Sequence, residues 1–83
     1  MISANRVSIT VGEPNWGPLE MVLTRKDCAA YMYMGCAGNI ELYKHCVMRR
    51  YLNISKDARS FYLYVGGQYV EVTKSAALDH VCN

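Results

Sequence analysis

From Ile40 to Thr73 apolar and polar residues alternate in short runs separated by turn formers, a pattern that suits a β-sheet and not a helix. Successive side chains of a strand point to opposite faces, so parity assigns each position to a face. In Ile40-Glu41-Leu42-Tyr43 the even positions are aliphatic, and they stay aliphatic at Leu52 and Ile54. Beyond Lys56-Asp57-Ala58-Arg59 the odd positions take over as Phe61, Leu63 and Val65; beyond Gly66-Gly67 the even ones return as Val70 and Val72. This phase predicts four strands with Leu42, Leu52, Leu63 and Val70 buried on one aliphatic face. The other face then carries Tyr43, Tyr51, Tyr62, Tyr64 and Tyr69, with His45 and Arg49 in phase and Lys44 and Arg50 beside them. That face is the candidate working surface.

The flanking segments complete an α+β reading. Arg6 to Val11 alternates as a strand, and Gly12-Glu13-Pro14-Asn15-Trp16-Gly17-Pro18 breaks it. Leu19 to Leu23 resumes the alternation, so these two runs are expected to form a hairpin with Trp16 at the loop tip, either packed on the core edge or exposed as a partner anchor. Thr24-Arg25-Lys26-Asp27 has the form of a capping box, which predicts a helix from Arg25 to about Met34, ended by Gly35. The alternation Tyr31-Met32-Tyr33-Met34 competes with it in favour of a strand. His45 to Met48 connects two strands, Gly66-Gly67 makes a tight hairpin, and Lys74 to Cys82 reads as a terminal helix capped by Thr73 or Ser75. The expected fold is one domain, residues 1–83, with an antiparallel sheet and one or two helices packed on its aliphatic face.

Size and composition restrict the chemistry. A chain of 83 residues buries roughly 60–65% of its unfolded surface, leaving little volume for an enclosed substrate cavity. Hydrophobic residues at 52% and charged ones at 19% exclude a disordered chain. The net charge of +2 excludes an acidic mimic of nucleic acid, yet Lys44, Arg49, Arg50, Lys56 and Arg59 face one acid, Asp57, within sixteen residues. Cys28, Cys36, Cys46 and Cys82 lack the paired spacing of a zinc site and are expected as free thiols, with no metal and no cofactor. No Cys/His pair has a recognisable orienting group, and no glycine-rich loop opens a helix, so an enzyme is not expected. The start Met1-Ile2-Ser3-Ala4-Asn5-Arg6 has no signal-peptide pattern and no run is long enough for a membrane span, which predicts a cytoplasmic protein without a membrane partner.

Tyrosines displayed beside arginine and lysine suit two kinds of partner. Single-stranded nucleic-acid binders stack bases on such rings while cations neutralise phosphate. Protein interfaces are enriched in the same residue types. The modest basic excess favours a protein partner.

Leu42-Tyr43-Lys44-His45, Arg49-Arg50-Tyr51-Leu52-Asn53, Phe61-Tyr62-Leu63-Tyr64 and Gly66-Gly67-Gln68-Tyr69 together resemble small accessory proteins encoded by bacteriophages and prophages. The likeness covers about the C-terminal half and lies in the strand pattern and the basic pair. It implies a compact inhibitor of a host defence complex, of the kind that anti-CRISPR proteins represent, acting by steric occlusion in the bacterial host cytoplasm. The partner so implied is a host protein or ribonucleoprotein complex, a CRISPR effector among them. The chain is not acidic, so the resemblance implies contact with an acidic protein patch or with bound RNA. A small single-stranded nucleic-acid-binding module is the alternative. Trp16, Tyr43, Lys44, His45, Arg49, Arg50, Tyr51, Tyr62, Tyr64 and Tyr69 are the candidate partner-binding residues.

Overall fold

The computed structural model describes residues 9–83, which build a six-stranded antiparallel sheet and three helices. The strands are β1 (Ile9–Thr10), β2 (Tyr31–Ala37), β3 (Ile40–His45), β4 (Tyr51–Ser55), β5 (Phe61–Val65) and β6 (Gln68–Val72). The helices are α1 (Gly17–Val22), α2 (Arg25–Cys28) and α3 (Lys74–Cys82). Every strand lies beside its predecessor in the order β1-β2-β3-β4-β5-β6. This α+β arrangement matches the expected class. None of the described helices is long and apolar enough to cross a membrane.

Leu19 of α1 and Ala77 and Val81 of α3 pack with Tyr43, Leu52, Ile54 and Phe61 to form the core on one face of the sheet. Full burial of a Leu, Ile, Val or Phe side chain stabilises by about 1.5–3 kcal/mol. The chain enters α3 through Thr73, whose hydroxyl accepts the Ala76 N–H at 3.0 Å. Gly66 and Gly67, at φ of 60° and 82°, turn β5 into β6 as the sequence predicts; two successive positive φ angles match the twist of the paired strands.

Three sequence expectations are corrected. The phase of β3 is the first. Tyr43 stands opposite Leu52 and Leu42 opposite Asn53, so Tyr43 enters the helix-covered core while Leu42 lies on the opposite face. Both are buried, with Tyr43 0% and Leu42 1% exposed. The cause is the connection after β3. The Arg49 N–H bonds the His45 carbonyl, the His45 N–H bonds the Arg50 carbonyl, and Arg49 adopts a φ of 62°. The loop so closed pairs Lys44 with Tyr51, which puts odd positions of β3 opposite even positions of β4. Leu42 and Leu52 therefore do not share a face, while Leu63 and Val70, which pair with each other, are half-buried and exposed.

The run from Leu19 to Leu23 is helical up to Val22, not a strand. Pro18 sits in the first turn of α1, where its missing N–H costs nothing, and the Glu20 and Leu23 amides close turns on the Trp16 and Leu19 carbonyls. Leu19 is buried and Met21 exposed, an outcome that alternation does not describe. The partner of β1 is accordingly β2, through Ile9 with Ala37 and Thr10 with Cys36. Of the expected strand Arg6–Val11, Arg6, Val7 and Ser8 lie outside the described residues.

The helix expected from Arg25 to Met34 stops at Cys28. Its cap is as predicted, with the Asp27 N–H donating to Thr24 Oγ1 at 3.2 Å. From Tyr31 onward the aromatic alternation prevails, since Tyr31 and Tyr33 pack against the core while pairing with His45 and Tyr43. Gly35 serves a β-bulge, not a helix end. Its φ is 109°, and a Cβ there would lie 2.7 Å from the Thr10 carbonyl oxygen.

Candidate binding cleft between β4 and β5

β4 pairs with its two neighbours unequally. It runs alongside β3 for five positions, but meets β5 only at Asn53 with Tyr62 and at Ile54 with Phe61. Beyond Asn53 the β5–β6 hairpin, itself paired along its whole length, leaves β4. The opening is a cleft of about 470 Å³, within the span of roughly 300–1,000 Å³ typical of ligand sites.

Tyr51 of β4 stands on one side of this cleft and Tyr64 and Tyr69 of the hairpin on the other. The rings of Tyr64 and Tyr69 pack across the hairpin with centroids 4.8 Å apart. Arg49 and Arg50 enter from the loop before β4, and His80 from α3. Arg50 is held there by Nη1, which donates to the His80 carbonyl at 3.0 Å, a cation at the C-terminal end of a helix. Leu42, Leu63 and Ile9 supply the apolar lining. Lys44 lies outside it, its ammonium 5.8 Å from the centre of the Tyr51 ring. The Tyr69 hydroxyl is held above its ordinary pKa, mainly by burial and further by Tyr64 and Tyr51, so it stays a neutral hydrogen-bonding group at physiological pH.

Asn53 marks the point where the β4–β5 ladder ends. It is 2% exposed, and its Nδ2 donates to the Tyr62 carbonyl at 3.1 Å. Its Oδ1 is buried with no hydrogen-bond partner among the described residues. An acceptor left in that state costs about 1–3 kcal/mol.

The structure thus brings together five of the sequence-predicted residues, Arg49, Arg50, Tyr51, Tyr64 and Tyr69. Tyr62 shares the face but not the cleft, in a cross-strand row with Asn53 and Glu71. Two others, Tyr43 and His45, are corrected, and Trp16 takes the packed one of its two expected places. Tyr43 is fully buried and donates its hydroxyl to the Asn15 carbonyl at 2.6 Å. His45 follows Tyr43 to the helix-covered side, packs edge-on against Tyr31 at 5.0 Å, and accepts the Val47 and Met48 amides at Nδ1. Trp16 is half-buried against Tyr33 and Tyr43, with centroids 6.1 and 5.9 Å away, so it packs on the core and does not present itself as an anchor. Asn53 was the legible residue that parity passed over, because Asn is depleted in strands and here interrupts Leu52 and Ile54. His80 carried no signal, since only the docking of α3 brings it to the cleft.

Elsewhere, a polar cluster ties the N-terminal loop to the sheet. The buried Glu41 carboxylate accepts hydrogen bonds from Lys56 Nζ, from the Tyr33 hydroxyl at 2.5 Å and from Asn15 Nδ2 at 3.2 Å. Burial pushes Glu41 upward, but these donors more than offset it and hold the carboxyl below its ordinary value. The Cys28 thiol is raised by burial and by Glu20 and Asp27, which disfavours a nucleophilic thiolate. Among the described residues no three His, Cys, Asp or Glu side chains gather as metal ligands. Comparison with protein-family models, with curated proteins and with solved structures finds no match.

Proposed function

We propose that this chain is a non-enzymatic binding protein that inhibits a bacterial defence complex, of the anti-CRISPR kind, by covering a surface of the complex with its tyrosine and arginine cleft. One observation carries the reading. Beyond Asn53 the β5–β6 hairpin parts from β4 and holds Tyr64 61% exposed on the cleft that Arg49, Arg50 and the 56% exposed Ile9 also line. Exposed aromatic and aliphatic groups next to arginine are the makings of an interface core. Occlusion requires no catalytic group, in keeping with the scattered acids and cysteines.

The test is phage plating on cells with an active CRISPR system that targets the phage. Expression of the chain should restore plating, and the double variant Tyr64→Ala/Arg50→Glu, accumulating to the same level, should not. Unchanged plating across systems of each effector type, with folded protein present, would refute the reading. A second reading, a small module for single-stranded nucleic acid, is favoured by the unpartnered buried acceptor of Asn53, a residue that lines the cleft together with Tyr51, Tyr64 and Tyr69.

A further inference from the structure

We propose that the cleft between β4 and β5 receives one unstacked nucleotide of a single strand. The base would lie between Tyr51 and the Tyr64–Tyr69 pair, and the phosphate against Arg49 and Arg50. The inference rests on the cleft being the working surface and specifies what enters it.

Three features converge on this ligand. The walls are aromatic on both sides, Tyr51 on β4 and Tyr64 and Tyr69 on the hairpin, which suits a planar ring. At the end of the paired ladder, Asn53 Oδ1 is a buried acceptor without a donor. Each nucleobase carries at least one N–H on its pairing edge, exposed only when the base is unpaired. Two guanidinium groups flank the opening, Arg50 already fixed to the His80 carbonyl, with Lys44 beyond Tyr51. Arginine forks match phosphate oxygens. An acidic peptide would satisfy the cations, but it would leave the aromatic walls without a planar partner. A duplex would offer phosphate, but its base planes are stacked and its pairing edges taken, so no ring could enter between the tyrosines. An unpaired nucleotide answers the ring, the acceptor and the charge in a single unit.

The experiment is a fluorescence-anisotropy titration of the purified chain with labelled twelve-nucleotide single strands of DNA and RNA and with a matched duplex. Nucleoside monophosphate and ribose 5-phosphate serve as competitors. The expected result is binding of single strands over duplex, competition by the nucleotide and none by the sugar phosphate. Tyr64→Ala should weaken binding by about 5- to 150-fold, the span reported for loss of one base stack. Arg49→Ala should lower the salt slope by about one unit. Equal competition by ribose 5-phosphate, or equal binding of duplex, would reduce the site to an anion patch and overturn the proposal. Absence of oligonucleotide binding at millimolar protein overturns it as well; phage plating restored in that case leaves the occlusion reading standing.

Discussion

The Glu41 carboxylate on β3 is bonded by the Lys56 ammonium from the turn between β4 and β5, so one buried acid anchors a turn fifteen residues away in sequence. The two sides of the pair are unequal, with Glu41 buried and Lys56 45% exposed. Loss of Lys56 leaves a buried carboxylate short of a donor, whereas Glu41→Gln buries no charge, lets Lys56 turn into water and keeps one oxygen to accept from Tyr33 or Asn15. Lys56→Met should therefore destabilise by about 1–3 kcal/mol at neutral pH, and more than Glu41→Gln. Urea denaturation of both variants checks the order.

The same cluster sets a pH dependence. The folded-state pKa of Glu41 lies below the ordinary value of 4.5, so over that interval the unfolded chain binds more protons than the folded one. The contribution is fully present above pH 4.5 and is lost as pH falls through the folded pKa. Denaturation midpoints should drop on acidification below that point in the wild type and drop less in Glu41→Gln. A parallel decline in both would remove Glu41 as the cause.

Tyr43 fills the core with its ring and satisfies its hydroxyl on the Asn15 carbonyl. Tyr43→Phe should cost about 0.5–1.5 kcal/mol, the net value of the hydrogen bond. Tyr43→Ala should cost about 3–5 kcal/mol, in the range for an aromatic truncated in a core. Equilibrium unfolding distinguishes these from the near-neutral result of an exposed tyrosine.

Strand alternation from Ile40 to Thr73 was legible because four elements there keep period 2, and the Gly66-Gly67 turn declared its own geometry. Face assignment across the loop from His45 to Arg50 was not, since the left-handed Arg49 and the loop closure decide which parity of β3 meets β4. Apolar residues on both parities hid the slip, because Leu42 is buried although it lies away from the helices. The alternation Leu19, Met21, Leu23 misled for a related reason: three apolar residues at spacing 2 fit a strand, while Leu19 with Val22 and Leu23 fits a helical turn, and Pro18 tips the balance. Tyr51, Tyr64, Tyr69 and the arginines were found from parity and charge. The cleft itself was not, because it depends on where the β4–β5 ladder stops.

Gly35 allows β1 to pack against β2. With φ at 109° and the Thr10 carbonyl 2.7 Å from a built Cβ, Gly35→Ala strains the backbone and pushes β1 away. The expected loss is about 1–3 kcal/mol from the backbone conformation alone. Amide hydrogen exchange should show Thr10 and Cys36 losing protection while β5 and β6 keep theirs. Uniform protection in the variant would contradict the assigned contact.

Binding and folding separate at the cleft. Tyr64 is exposed and stands on the part of β5 that β4 does not pair, so Tyr64→Ala should change stability by no more than about 1 kcal/mol, the value of its cross-strand pair with Tyr69. The same substitution removes one wall of the cleft and should abolish the inhibitory activity that Tyr43→Phe leaves intact. Arg50 has two roles, since its guanidinium also bonds the His80 carbonyl, and Arg50→Glu places an acid at the C-terminal end of α3. A stability loss of about 0.3–1 kcal/mol is therefore expected with that variant, along with slower association with an anionic partner. Thermal unfolding and association kinetics on the three proteins test this division. If Tyr64→Ala unfolds the hairpin, the exposed ring is structural and the cleft loses its standing as the contact surface.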